Sequence, residues 1–283
     1  MHNTVIIGNS QPLAAIGQGT WYMGEQASQR TREVSALQAG IDCGLSLIDC
    51  AEMYADGEAE RVVGQAIAGR RERVYLVSKV YPWNAGGQAL VKACEGSLRR
   101  LGTDYLDLYL LHWPGDIPLA ETVAGMTALV AAGKIGQWGV SNFDTADLLQ
   151  LWQVPGGRAC VTNQVLYHLA SRGIEFDLLP WCHQQEMPVM AYSPLAQAGR
   201  LRQGLLAHPV LVALARARGM TVAQLLLAWV IREPGVMAIP KAGTVGHVQQ
   251  NADVLQVVLR EDELQAINAA FPAPGAKMPL DMV

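Results

Sequence analysis

The chain has 283 residues, 51% of them hydrophobic and 16% charged, with a formal net charge of −4. That composition excludes a disordered chain and can build a large core without disulfides or structural metal. The negative balance and the lack of any run of basic residues also exclude the electrostatic footprint of a nucleic-acid binder.

From the N-terminus, MHNTVIIGNSQP has neither the basic nor the apolar region of a secretory signal. Val5–Ile7 and Leu13–Ile16 flank a Gly-Asn-Ser turn and read as a hairpin. The segment LAAIGQGTW (13–21) then reads as a first buried strand. Further apolar, β-forming runs follow: LSLID (45–49), VYLVSK (74–79), YLDLYLLH (105–112), IGQWGVSN (135–142), VTNQVLY (161–167), PVMAYS (188–193) and VMAIPK (236–241). Such near-continuous apolar runs suit strands covered on both faces, as in a parallel sheet.

Helical patterns fall between the runs, at 31–43, 58–69, 87–101, 119–132, 145–152, 175–184, 221–232 and 244–255. Thr31 with Glu33 behind it, Asp144-Thr145 and Thr221 read as start signals, and Gly102 and Gly133 as C-terminal stops. Strand and helix alternate with a period of roughly 30 residues, the signature of βαβ units. About eight such units in roughly 250 residues predict an α/β chain folded as a (β/α)8 TIM barrel, here with an N-terminal β-hairpin and a short C-terminal tail. A doubly wound open sheet is disfavoured: Gly17-Gln18-Gly19 opens a dinucleotide fingerprint, but Tyr22 stands where its third glycine belongs. No linker divides the chain, so residues 1–283 read as one domain.

Five cysteines without a CxxC pair suit a reducing compartment, with buried thiols as fillers. No histidine pair or Cys/His cluster predicts a metal site, and no apolar stretch reaches the length of a membrane span. A soluble, cytoplasmic protein is expected, either a monomer or a weak homodimer, with neither nucleic acid nor membrane as partner.

The position of the polar residues carries the functional signal. Nearly every predicted strand ends in a residue able to do chemistry: Asp49, Lys79, His112, Ser141-Asn142, Gln164, Tyr192-Ser193 and Lys241. In a barrel these ends meet on one face, where active sites are built. Taken singly, each has a plain structural reading: Asp49 as a helix cap, Lys79 as half of a structural ion pair, His112 as a core histidine, Tyr54 as loop packing. Together they make a proton-delivery device. A buried Lys79 needs a counter-ion, which Asp49 on the adjacent strand supplies. Its ammonium favours the phenolate of Tyr54 and so eases proton donation, and His112 can orient a carbonyl oxygen. With no nucleophile–base pair for hydrolysis, the carbonyl must receive its electrons from a hydride donor. The second half offers a place for one. Asn142 and Gln164 can bond a carboxamide, Tyr192 presents a ring face, and the Ser193-Pro194-Leu195-Ala196 loop has free amides for phosphate. Lys241 stands just before a helix start at Thr244, an anion site suited to a 2′-phosphate.

These segments resemble the aldo-keto reductase family along essentially the whole chain. The matching stretches are GQGTW (17–21), LIDCAEMYADGEAERVVGQAI (47–67), VSKV (77–80), YLDLYLLHWP (105–114), GVSNF (139–143), NQVLYH (163–168), AYSPLAQAGRL (191–201) and AIPKAGTVGHVQQN (238–251). The resemblance implies Tyr54 as general acid in a tetrad with Asp49, Lys79 and His112. It implies NADPH bound across the strand ends: Ser141, Asn142 and Gln164 on the carboxamide, Tyr192 against the nicotinamide, and Ser193, Pro194 and Leu195 near the phosphates. Lys241 and Thr244 would meet the 2′-phosphate, His247, Gln250 and Asn251 would lie by the adenine, and Gly19, Thr20 and Trp21 would border the cofactor. Trp21, Met53, Tyr81 and Trp113 would wall the substrate pocket. Ala242 stands where the family often has serine, and His247 where it often has arginine, which leaves NADH as a weaker second cofactor. The bacterial reductases of methylglyoxal and related small aldehydes, whose substrates include aromatic and aliphatic carbonyls, are the most similar subgroup. The competing readings are an NADPH-binding redox sensor or partner subunit with little turnover, and a Schiff-base lyase acting through Lys79.

Overall fold

The computed structural model describes residues 3–283. A short antiparallel hairpin, β1 (Thr4–Val5) and β2 (Leu13–Ala14), precedes eight parallel strands. These are β3 (Gln18–Gly19), β4 (Leu47–Asp49), β5 (Tyr75–Val80), β6 (Leu106–Leu111), β7 (Ile135–Ser141), β8 (Cys160–Leu166), β9 (Val189–Tyr192) and β10 (Val236–Ala238). Helices α1 (Arg30–Asp42), α2 (Glu58–Ile67), α3 (Gly87–Leu101), α4 (Leu119–Ala131), α5 (Thr145–Gln153) and α6 (Leu178–Gln184) cover the outside of the first seven strands. The rest of the outer layer is α7 (Arg200–Ala207), α8 (Pro209–Ala217), α9 (Val222–Val230), α10 (Val245–Asp253) and α11 (Glu261–Ala270).

Strand order follows the sequence from β3 to β10, and the sheet closes on itself. Ile16 and Gly19 form parallel bridges to Ala238 and Lys241. Gly17 N donates to Ala238 O at 2.8 Å and Gly19 N to Pro240 O at 3.1 Å. The closure needs a glycine, because a Cβ at position 19 would stand 2.5 Å from Ile239 O. The predicted (β/α)8 barrel with its leading hairpin is thus the observed fold.

Local departures have local causes. The run LAAIGQGTW splits: Leu13-Ala14 belongs to the hairpin and only Gln18-Gly19 to the barrel, with the chain changing sheets around the buried Ile16. The last strand stops at Ala238 rather than Lys241, since Pro240 has no N–H to continue the ladder. Helix α1 begins at Arg30 without a side-chain cap, so Thr31 is not its start; Glu33 instead accepts from Gly24 N at 3.0 Å. Asp144 and Thr221 do close capping boxes, with Asp147 and Gln224. Helix α6 starts at Leu178, because Glu175 sits in a preceding 3-10 turn where it is engaged by Arg172. Cys50, Cys94, Cys160 and Cys182 are buried fillers, but Cys43 is exposed. No single helix among the described residues is long and apolar enough to cross a membrane.

The tail returns over the barrel mouth. Lys277 binds Asp144 at 2.6 Å and Asp177 at 2.8 Å, and Ser171 Oγ donates to Asp281 at 2.6 Å. Val283 consequently lines the central cleft.

Candidate active site

The C-terminal ends of the strands surround an open cleft of about 210 Å³. Register explains who faces it. Asp49 pairs with Val77 one strand over, and Val77 and Lys79 share a face of β5, so the carboxylate and the ammonium both project into the barrel. Lys79 is wholly buried and donates three hydrogen bonds: to Asp49 Oδ2 at 2.7 Å, Cys50 O at 2.9 Å and Tyr54 Oη at 2.9 Å. The second carboxylate oxygen of Asp49 accepts from Gln164 Nε2 at 2.8 Å, a link the sequence reading did not contain. Tyr54 follows β4 on a turn in which Ala55, Asp56 and Gly57 all have left-handed φ values of 49°, 51° and 85°. Two of the three are not glycine, so the turn that aims Tyr54 inward is strained. Of the other left-handed non-glycine residues among those described, Tyr22, Asn142, Ser193 and Ala196 line the cleft and Glu186 lies elsewhere.

The electrostatics define a phenol at rest. Burial outweighs the ammonium and pushes Tyr54 up to about 12. Lys79 acts in the expected direction and favours the phenolate, but dehydration of the ring is the larger effect, so Lys79 compensates only in part. Burial also works against the charge on Lys79, but Asp49 and then Tyr54 more than offset it, so the ammonium is held above its ordinary range. His112 is pushed down to about 2, by burial first and by Lys79 second, and is neutral. Its ring stands edge-on to Tyr54, 5.8 Å between centroids, and its Nδ1 is buried without a partner among the described residues.

A second network adjoins this one. Ser141 Oγ donates to Gln164 O at 2.8 Å, Asn142 Nδ2 to His112 O at 3.1 Å, and Tyr192 Oη to Asn142 Oδ1 at 2.8 Å. Gln164 Oε1 remains free to accept. Gly19, Thr20, Trp21, Met53, Trp113, Ser193, Pro194, Leu195 and Lys241 all line the same cleft. Tyr81 does not; it stacks on Trp83 at 4.3 Å, outside the cleft wall. Thr244 caps α10, accepting from His247 N at 3.3 Å, and with His247, Gln250 and Asn251 lies beyond the cleft lining. Arg202, Gln197 and Val283 also line the cleft but were missed. Arg202 sits on a helix absent from the periodic pattern, and Val283 arrives by tail contacts with no local signature.

Three occupied ammonium donors leave Lys79 no free face for covalent chemistry, which disfavours the lyase reading. A protonated phenol, a neutral imidazole and a cation-bearing groove in one barrel mouth define a class, a (β/α)8 oxidoreductase acting on carbonyls. The comparisons agree. The sequence model of the Aldo/keto reductase family matches residues 15–271. Methylglyoxal reductase YeaE of Escherichia coli (strain K12) is 68% identical over 271 residues, 96% of this chain and 95% of that protein. Glyoxal reductase of Bacillus subtilis (strain 168) is 32% identical, with 95% and 93% covered. A crystal structure of an aldo/keto reductase from Klebsiella pneumoniae in complex with NADP and acetate superposes with a TM-score of 0.98 at 64% identity, covering both chains fully. The chain belongs to the aldo/keto reductase family.

Proposed function

We propose that this protein reduces small aldehydes, methylglyoxal-like dicarbonyls and aromatic or aliphatic aldehydes alike, to alcohols with NADPH. The observation that carries the reading is the direction of the hydrogen bonds at Tyr54. Its oxygen accepts from Lys79, so its own proton is the one left to face the cleft beside His112. A carbonyl oxygen placed there accepts that proton, and the ammonium 2.9 Å away stabilises the phenolate as it forms. Neutral His112 orients the same oxygen without competing for the proton.

The residues also fit the cofactor. Gln164 Oε1 is an unspent acceptor for a carboxamide, Tyr192 presents its ring, and Lys241 with Arg202 makes the groove cationic. When bound, NADPH supplies the hydride that reaches the carbonyl carbon. Ser193–Leu195 would border the phosphates, and Lys241 before the start of α10 would meet the 2′-phosphate.

The test is NADPH consumption with methylglyoxal and a set of aromatic and aliphatic aldehydes, beside calorimetric binding of both cofactors to Lys241→Ala. Turnover is expected with NADPH. The variant should bind NADPH roughly tenfold or more weakly, the weight of a charge-assisted hydrogen bond, with NADH little changed. No aldehyde-dependent oxidation would defeat the reading. Equal loss for both cofactors would remove Lys241 from the 2′-phosphate.

A further inference from the structure

Tyr54 and Lys79 reach their 2.9 Å hydrogen bond from different elements, so that bond depends on how those elements are held together. Lys79 belongs to β5, and Tyr54 to a turn whose next three residues are all left-handed. A support for this turn lies on the other side of the sheet from the cleft. Neighbours on a strand face opposite ways, so Ser78, next to Lys79, points outward to the helices. Its Oγ donates to Glu60 Oε1 at 2.6 Å, in the first turn of α2. The other oxygen of that carboxylate accepts from Arg100 Nε at 2.5 Å, in the last turn of α3. Glu60 and Ser78 are wholly buried.

Arg100 also bears on the turn itself. A Cβ at Gly57 would stand 2.5 Å from both Cδ and Nε of Arg100, so the side chain lies flat on the backbone of the third left-handed residue. The two helices touch one turn further on, where a Cβ at Gly64 would stand 2.8 Å from Leu101 O. One carboxylate therefore joins the strand that carries Lys79 to the side chain that backs the turn carrying Tyr54. Backbone strain of this kind persists only where the surroundings over-determine it.

Resting on the reductase reading above, we propose that Glu60 and Arg100 are positioning residues for proton transfer: they brace the turn at 55–57 against β5 and so hold the Tyr54 hydroxyl at Lys79 and at the carbonyl it protonates. Neither lines the cleft, so both act through Tyr54. A misplacement of about 1 Å costs a reaction on the order of 10²-fold. Ser141, Gln164 and Tyr192, on the side of the cleft assigned to the cofactor, belong to β7, β8 and β9 and are not carried by the brace. Its loss should therefore slow proton delivery and spare cofactor binding. It should also separate turnover from stability, because replacing a buried ion pair by neutral groups of similar volume is often neutral for folding.

The experiment compares wild type, Arg100→Lys and the double variant Glu60→Gln with Arg100→Met. It measures kcat/KM for methylglyoxal, the solvent deuterium isotope effect on it, NADPH affinity by calorimetry and the urea midpoint. The double variant removes the pair without stranding a buried charge. Its kcat/KM should fall roughly 10- to 100-fold and its isotope effect should rise, with NADPH affinity within about twofold and the midpoint close to wild type. Arg100→Lys keeps a stem on Gly57 and a cation on Glu60, and should recover most of the loss. Wild-type kcat/KM in the double variant, an unfolded double variant, or a loss of NADPH affinity as large as that of kcat/KM would each overturn the brace. No turnover by the wild type would instead overturn the reductase reading beneath it.

Discussion

Two buried clusters in this barrel are built from the same parts, a tyrosine, a carboxylate and cations, yet only one faces the cleft. In the mouth, Tyr54 accepts a hydrogen bond from Lys79, and Asp49 holds that lysine. Around α6, Tyr167 does the reverse: its hydroxyl donates to Glu175 Oε1 at 2.6 Å and accepts from Arg232 at 3.0 Å. Arg172 adds a second cation on Glu175 at 2.6 Å, and reaches Asn268 at 2.9 Å and the carbonyl of Phe271. Burial raises both phenols, so acidity at rest does not separate them. The difference is whose proton is committed. Tyr167 has spent its proton on a carboxylate, in a cluster whose Arg172 fastens the C-terminal helix α11 to the barrel. Tyr54 has kept its own.

The largest effects come from removing the hydroxyls. Tyr54→Phe should lower kcat/KM by about 10²- to 10⁴-fold, the range for a general acid, with NADPH affinity unchanged. Tyr167→Phe should leave kcat/KM within about twofold but lower unfolding free energy by roughly 1–3 kcal/mol, since Glu175 and Arg232 each lose a partner. Steady-state kinetics and urea unfolding of the two variants side by side decide it. Should Tyr167→Phe prove the slower enzyme, the distinction by proton commitment is wrong.

Next come the cations, which differ in redundancy. Asp49 has one cationic partner, whereas Glu175 has Arg172 at 2.6 Å and Arg232 at 3.1 Å. Lys79→Met strands a buried carboxylate and should cost about 3–5 kcal/mol along with activity. Arg232→Met leaves Arg172 in place and should cost roughly 1–3 kcal/mol, with turnover retained. Similar losses of denaturation midpoint in the two variants would show that the second arginine gives Glu175 no protection.

The sequence revealed the mouth and hid the other cluster, for a physical reason. Lys79 and Asp49 each interrupt an apolar strand at its end, and a barrel brings strand ends together, so the strand pattern was enough to join them. Arg172, Glu175 and Arg232 lie in loops and at a helix end, where charge is ordinary, and only the packing of α9 and α11 buries them. The same limit hid Arg202 and Val283: α7 and the tail follow no βα period, so nothing placed them over the cleft. It also hid the balance at Tyr54, because the ammonium is visible in the sequence and the dehydration that outweighs it is not.

The smallest effect separates the clusters by pH. The folded chain holds His112 near 2 and His168 near 4, both mainly by burial, whereas a free histidine titrates near 6.5. A base whose folded pKa is depressed favours folding fully above its unfolded value, and that contribution drains away as pH falls toward the folded one. The histidine side should therefore weaken from about pH 6.5 downward, approaching about 1.4 kcal/mol per pH unit for each histidine. Burial raises Glu175, but hydrogen bonds from Arg172 and Tyr167 and the charges of the two arginines outweigh it and hold the carboxylate below its ordinary 4.5. Its contribution is intact above 4.5 and is lost only as pH falls below that value. In urea midpoints between pH 7 and 5, His112→Gln should flatten the decline and Glu175→Gln should lower the curve without changing its slope. Parallel wild-type and His112→Gln curves across that window would mean that His112 gains its proton in the folded state, and the neutral imidazole assigned to the mouth would fall with it.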